Sequence, residues 1–115
     1  MKYSHWQIHT SAKNEKNAQV VLNKALKNMG VNAIDIEFNF DKEHGNLISF
    51  SIEHKASEWS EFIYQILLLA QTVGFGWNLT GYIDQDPDAS TEHSNISGVS
   101  FIQWLVYKNG SRQNA

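Results

Sequence analysis

Apolar and polar residues follow two rhythms along this chain. In residues 3–10, YSHWQIHT, they alternate: Trp6 and Ile8 point one way and His5, Gln7 and His9 the other, as in a half-buried strand. From about Ala12 to Met29 the apolar positions Ala18, Val21, Leu22, Ala25, Leu26 and Met29 share one helical face, and Gly30 supplies a stop. Residues 31–40 alternate again, with Ile34, Ile36, Phe38 and Phe40 expected inward and Asp35, Glu37 and Asn39 outward. After the turn DKEHGN, residues 46–54 return with Ile48, Phe50 and Ile52 on the buried face, so the two stretches predict a hairpin.

The stretch Ser57–Gly74 organises the rest. Trp59, Phe62, Ile63, Ile66, Leu67, Ala70 and Val73 lie on one face of a helix, and a second row, Tyr64 and Leu68, widens that face beyond what one sheet contact needs. Ser57 is expected to cap its start, Glu58 and Glu61 suit the positive end of its dipole, and Gly74 is expected to close it in the left-handed conformation. Residues 76–84 read as a fourth strand, with Trp77, Leu79 and Ile83 on one side and Asn78, Thr80, Tyr82 and Asp84 on the other. Residues 96–108 read as a fifth, in which Ile102, Trp104 and Val106 oppose Val99, Phe101, Leu105 and Tyr107; a strand apolar on both faces needs cover on both.

The element order predicts an α+β fold: a ferredoxin-like β-α-β-β-α-β two-layer sandwich with an added fifth strand, antiparallel throughout, in the order 5-4-1-3-2. One domain is expected over residues 1–108, with a flexible tail over 109–115. A chain of 115 residues has room for one core. The absence of cysteine excludes a disulfide framework and a thiol nucleophile or thiolate metal site, and with a start, MKYSHWQIH, that has no long apolar run it predicts a cytoplasmic protein. The longest apolar run, Ile66–Ala70, is far below the ~20 residues that cross a bilayer, so no membrane is expected.

Charge changes the picture when it is located. Residues 84–95 carry Asp84, Asp86, Asp88 and Glu92 and no Lys or Arg, whereas the rest of the chain holds nine basic and eight acidic groups. The net charge of -3 is thus placed in one predicted loop, which argues against a nucleic-acid partner and for a cationic protein.

Candidate chemistry is sparse. His5 and His9 stand about 13 Å apart on a strand and cannot share a metal ion; a site would have to join His9 or His5 to Glu53 on a neighbouring strand. The spacing of Asp84, Asp86, Asp88, Ser90 and Glu92 starts like a calcium loop but fails at Ala89 and Asn95, where a Gly and a bidentate Glu are required. Ser49, Ser51 and Glu53 occupy the positions where RNA-recognition domains carry stacking aromatics. No phosphate loop, nucleophile elbow or paired-histidine motif is present. No metal or cofactor is expected.

Two functions follow. In size, acidity and lack of catalytic motif the chain resembles, in general character, the immunity proteins that bacteria make against secreted nuclease toxins. That resemblance implies a non-catalytic inhibitor covering a toxin's basic cleft, with Asp84, Asp86, Asp88 and Glu92 joined by Asp35, Glu37, Glu53 and Tyr82, and with Trp104 and Tyr107 as apolar contacts. A homodimer through the fifth strand is also expected from its doubly apolar character. The alternative is a small dimeric enzyme or ligand-binding domain using His5, His9, Glu53 and Tyr82 on the open sheet face.

Overall fold

The computed structural model describes residues 2–43 and 45–108; the predicted tail, 109–115, lies outside the described residues. The elements are β1 (Lys2–Thr10), α1 (Glu15–Met29), β2 (Ile34–Asp41), β3 (Gly45–His54), α2 (Trp59–Val73), β4 (Gly74–Phe75), β5 (Asn78–Thr80), β6 (Asp88–Thr91), β7 (His93–Ser94) and β8 (Val99–Leu105). Six strands form one antiparallel sheet in the order β2-β3-β1-β8-β6-β5, and β4 pairs with β7 beside it.

The even-numbered positions of β1 and β3 explain why the helices cover only one face. Trp6, Ile8, Ile48, Phe50 and Ile52 are each at most 2% exposed and pack in one core with Leu22 and Ala25 of α1 and Phe62, Ile66 and Ala70 of α2. Asn14 caps α1 by accepting from the Asn17 N–H at 2.9 Å, and Gly30 closes it in the left-handed conformation. The buried row of α2 is Phe62, Ile63, Ile66, Ala70 and Val73, whereas Tyr64 and Leu68 of the second row remain on the surface. Among the described residues no helix is long and apolar enough to cross a membrane.

The termini of α2 differ from expectation. Glu58, not Ser57, occupies the cap position and makes no side-chain cap bond. Gly74 is extended, not left-handed, because it starts β4 opposite Ser94. What requires glycine there is proximity: a Cβ would stand 3.0 Å from the His93 carbonyl oxygen and 3.0 Å from the Thr91 methyl carbon.

The expected order 5-4-1-3-2 is also corrected. β8, placed by the sequence at an edge, pairs with β1 on one side and β6 on the other, so it has no free edge for a second copy. Its apolar helix-side row, Ile102 and Trp104 with Val106 following, is fully buried, which suits a strand in the sheet interior. The segment expected as strand four keeps only the three-residue β5 at the far edge, with Leu79 and Ile83 exposed instead of buried. Between them lies β6, in residues expected to form an acidic loop: Ala89 and Thr91 are buried while Asp88 and Ser90 face outward.

β2 departs as well. Of the four expected core residues of this edge strand only Phe38 packs against the core; Ile34 stands opposite Ser51, on the side away from the helices, and Ile34, Ile36 and Phe40 stay 39–40% exposed. Its pairing jumps from Ile34 opposite Ser51 to Glu37 opposite Ser49, a β-bulge that leaves Asp35 and Ile36 together opposite Phe50. Asp35 has φ +53, the one non-glycine with positive φ among the described residues.

Candidate functional site

Directly opposed residues of antiparallel strands share a face, so the register defines what the helix-free side presents. One polar row crosses all six strands: Glu37, Ser49, Gln7, Gln103, Ser90 and Asn78. A second runs Ser51, His5, Leu105, Asp88 and Thr80, and a third Asn39, Leu47, His9 and Phe101. Glu53 stands opposite Tyr3 at the end of the β1–β3 pair. Among the described residues these rows contain Glu37, Glu53 and Asp88, joined by Asp35 at the bulge, and no Lys or Arg. The helix layer is mixed in charge: α1 carries Lys16, Lys24 and Lys27 with Glu15, α2 carries Glu61, and Lys108 lies over the Trp59 ring. The sheet face is therefore the acidic side of the molecule.

Side chains on this face are ordered by their neighbours. Gln103 Nε2 donates to both carboxylate oxygens of Asp88, at 3.2 and 3.3 Å. The His9 ring meets Phe101 edge-on with centroids 5.1 Å apart. His5 Nδ1 and Ser51 Oγ are hydrogen-bonded at 2.8 Å, and the His5 ring lies 6.3 Å from that of Tyr107. Burial lowers the His5 pKa, and the nearby Asp35 carboxylate opposes that shift. A groove of about 590 Å³ lies here, in which Asp35, Glu37, His5, Ser49, Ser51 and Tyr107 converge from β2, β3, β1 and the residues following β8.

The predicted acidic residues do not share one loop. Asp84 and Asp86 lie in the turn after β5, where Asp86 accepts from the Tyr82 N–H at 3.3 Å; Asp88 sits on the sheet face; and Glu92 follows β6 at its other end, about 13 Å along the strand. None of the four is ion-paired among the described residues. Tyr82, 70% exposed, is in the turn and not on the sheet face. Trp104 is corrected: it is 0% exposed on the helix side, opposite Trp6, and offers nothing to a partner. Tyr107, Asp35, Glu37 and Glu53 lie where the alternation placed them.

The alternative constellation does not assemble. His9 is opposite Leu47 and Phe101, six residues of β3 away from Glu53. The carboxylate beside His5 is Asp35. Among the described residues no group of three His, Asp or Glu side chains could hold a metal ion.

A buried chain escaped the sequence reading. Trp6 Nε1 donates to Ser4 Oγ at 2.8 Å, Ser4 is bonded to His54 Nε2 at 2.7 Å, and His54 Nδ1 lies 3.1 Å from Gln65 Oε1. Because Gln65 Oε1 can only accept, the imidazole proton sits on Nδ1 and donates to Gln65, which leaves Nε2 to accept from the Ser4 hydroxyl while Ser4 Oγ accepts from Trp6. Hydroxyl, base and orienting amide have the connectivity of a nucleophile site. Ser4 is 0% exposed, so no substrate reaches it, and the chain instead joins β1, β3 and α2. Its signal was parity: Ser4 and His54 fall on the same even positions as Trp6 and Ile52.

Compared with known proteins, the chain matches no family model, no curated protein and no solved structure.

Proposed function

We propose that this protein is a non-catalytic binding module that receives a cationic protein on its open sheet face, in the manner of an immunity protein occluding the basic cleft of a nuclease toxin. The observation that carries the reading is the asymmetry of the two layers: Asp35, Glu37, Glu53 and Asp88 share a face with no cation, while the lysines of α1 occupy the opposite layer. Such a field steers a basic partner toward the sheet and away from the helices. Asp84, Asp86 and Glu92 extend the negative surface around β6. The scaffold reads as ferredoxin-like with β8 in the place of the fourth strand and β4 to β7 as an insertion before it.

The half-buried state of His5, Gln7, His9, Gln103 and Tyr107 also suits the reading. His5 is held by Ser51 and Tyr107, His9 by Phe101 and Gln103 by Asp88, so docking orders few of them further, and that lowers its entropic cost. The enzyme alternative lacks this support, because His5, His9, Glu53 and Tyr82 are dispersed.

Affinity capture with the tagged protein, followed by reconstitution with the identified partner, tests the proposal. A partner rich in Lys and Arg whose association slows as salt is raised is expected; a neutral or acidic partner bound equally well at all ionic strengths contradicts it.

A further inference from the structure

The groove beside the β2 bulge differs from the rest of the acidic face in being concave and built from mixed chemistry. Asp35 and Glu37 supply two carboxylates from β2, Ser49 and Ser51 supply hydroxyls from β3, and His5 and Tyr107 supply two rings 6.3 Å apart. Ser51 is 7% exposed and is held by His5, so the floor is set before anything binds.

We infer that this groove is a socket for a guanidinium group, and that the cationic partner inserts an arginine side chain into it. The inference rests on the proposed acidic binding face and names the anchor within it.

Three features select arginine over lysine. A guanidinium is planar and offers its N–H donors in a fixed fork, which two carboxylates and neighbouring hydroxyl oxygens can accept together; an ammonium is a compact point charge. The rings of His5 and Tyr107 provide flat surfaces on which a planar cation stacks. The volume, about 590 Å³, admits a whole arginine side chain with water around it.

The bulge belongs to the device. Asp35 and Ile36 together oppose Phe50, and Asp35 holds φ +53, a conformation that glycine adopts without strain. Aspartate bears that strain and presents a carboxylate to the groove, near enough to His5 to act on its protonation. A glycine at this position would keep the turn of the backbone and lose the ligand group.

The test uses the whole protein, isotope-labelled, followed by NMR at the His5 ring and the Ser49 and Ser51 amides. N-acetyl-arginine amide is expected to give a saturable shift there, several-fold weaker with N-acetyl-lysine amide. Asp35→Asn and Asp35→Gly should each abolish it, while Asp35→Gly melts at the same or a higher temperature, so the loss is not unfolding. No saturable shift, equal shifts from the two amides, or binding unchanged in Asp35→Gly overturns the socket. A decalysine peptide separates the two levels: if it shifts Gln7, Gln103 and Ser90 while the arginine amide leaves the groove unmoved, the socket falls and the acidic face stands. If neither probe moves any residue of the face, both fall.

Discussion

Trp6 and Trp104 face each other across the β1–β8 pair, ring centroids 6.4 Å apart and tilted by 44°, and differ in one respect: the Trp6 indole N–H donates to Ser4 at 2.8 Å, whereas that of Trp104 has no partner among the described residues. A buried donor without an acceptor costs about 1–3 kcal/mol. Trp104→Phe sheds that cost along with some apolar area, while Trp6→Phe loses area and also removes the donor that orients Ser4. In urea unfolding, Trp104→Phe is expected to destabilise less than Trp6→Phe, by roughly 1–3 kcal/mol. Equal losses would show that the Trp104 nitrogen is satisfied in solution.

The buried Ser4–His54–Gln65 chain makes stability depend on pH. Burial holds the His54 pKa below its ordinary value of 6.5, against a smaller opposing effect of the Gln65 hydrogen bond. Between the folded pKa and 6.5 the unfolded chain binds more protons, so stability rises with pH through that window. It is fully present above 6.5 and is lost as the pH falls toward the folded value. His5, also lowered by burial, acts in the same direction. Urea midpoints measured from pH 8 downward should decline from about pH 6.5, and His54→Gln should flatten that decline while lowering stability at pH 8. A flat wild-type profile contradicts the assignment.

Two glycines with positive φ separate strain from collision. At Gly30, φ +71, an added Cβ meets nothing within 4 Å, whereas at Gly81, φ +79, it would lie 2.6 Å from the Asp86 carbonyl oxygen. Gly30→Ala is expected to cost about 1 kcal/mol of conformational strain. Gly81→Ala should cost more, with the excess seen as loosened β5–β6 pairing in hydrogen exchange. Comparable melting temperatures for the two variants would show that the turn holding Asp84 and Asp86 simply shifts.

The parts of the fold that rest on period were legible: the even rows of β1 and β3, the buried faces of α1 and α2, and Gly30 as the stop of α1. What failed was set by non-local pairing. The acids of residues 84–95 mask the alternation of Asp88, Ala89, Ser90 and Thr91, so the local pattern predicts a loop where β6 forms and an edge position for β8. The two apolar rows of β8 have different fates: Ile102 and Trp104 are buried on the helix side, while Phe101 and Leu105 stay half-buried on the open face, and the pairings with β1 and β6 fill its edges. At the candidate site, alternation placed Asp35, Glu37, Glu53 and Tyr107 on the open face. It could not show that His5 meets Asp35 instead of Glu53, because a bulge changes register without changing composition.

Neutralising Asp35, Glu37 and Asp88 together, as Asn, Gln and Asn, is expected to leave the fold intact, since the Asp88 carboxylate accepts from Gln103 and an amide oxygen can do the same. Near-unchanged melting would agree, while a loss above about 2 kcal/mol would mean that one of these carboxylates is structural.

The most direct measurement is the association rate of the captured partner, as a function of salt, with that triple variant and with a control neutralised on the helix layer at Glu15 and Glu61. Slower association and a shallower salt dependence are expected for the sheet-face variant, and wild-type behaviour for the control. Equal rates for wild type and sheet-face variant, or slowing confined to the control, would contradict it.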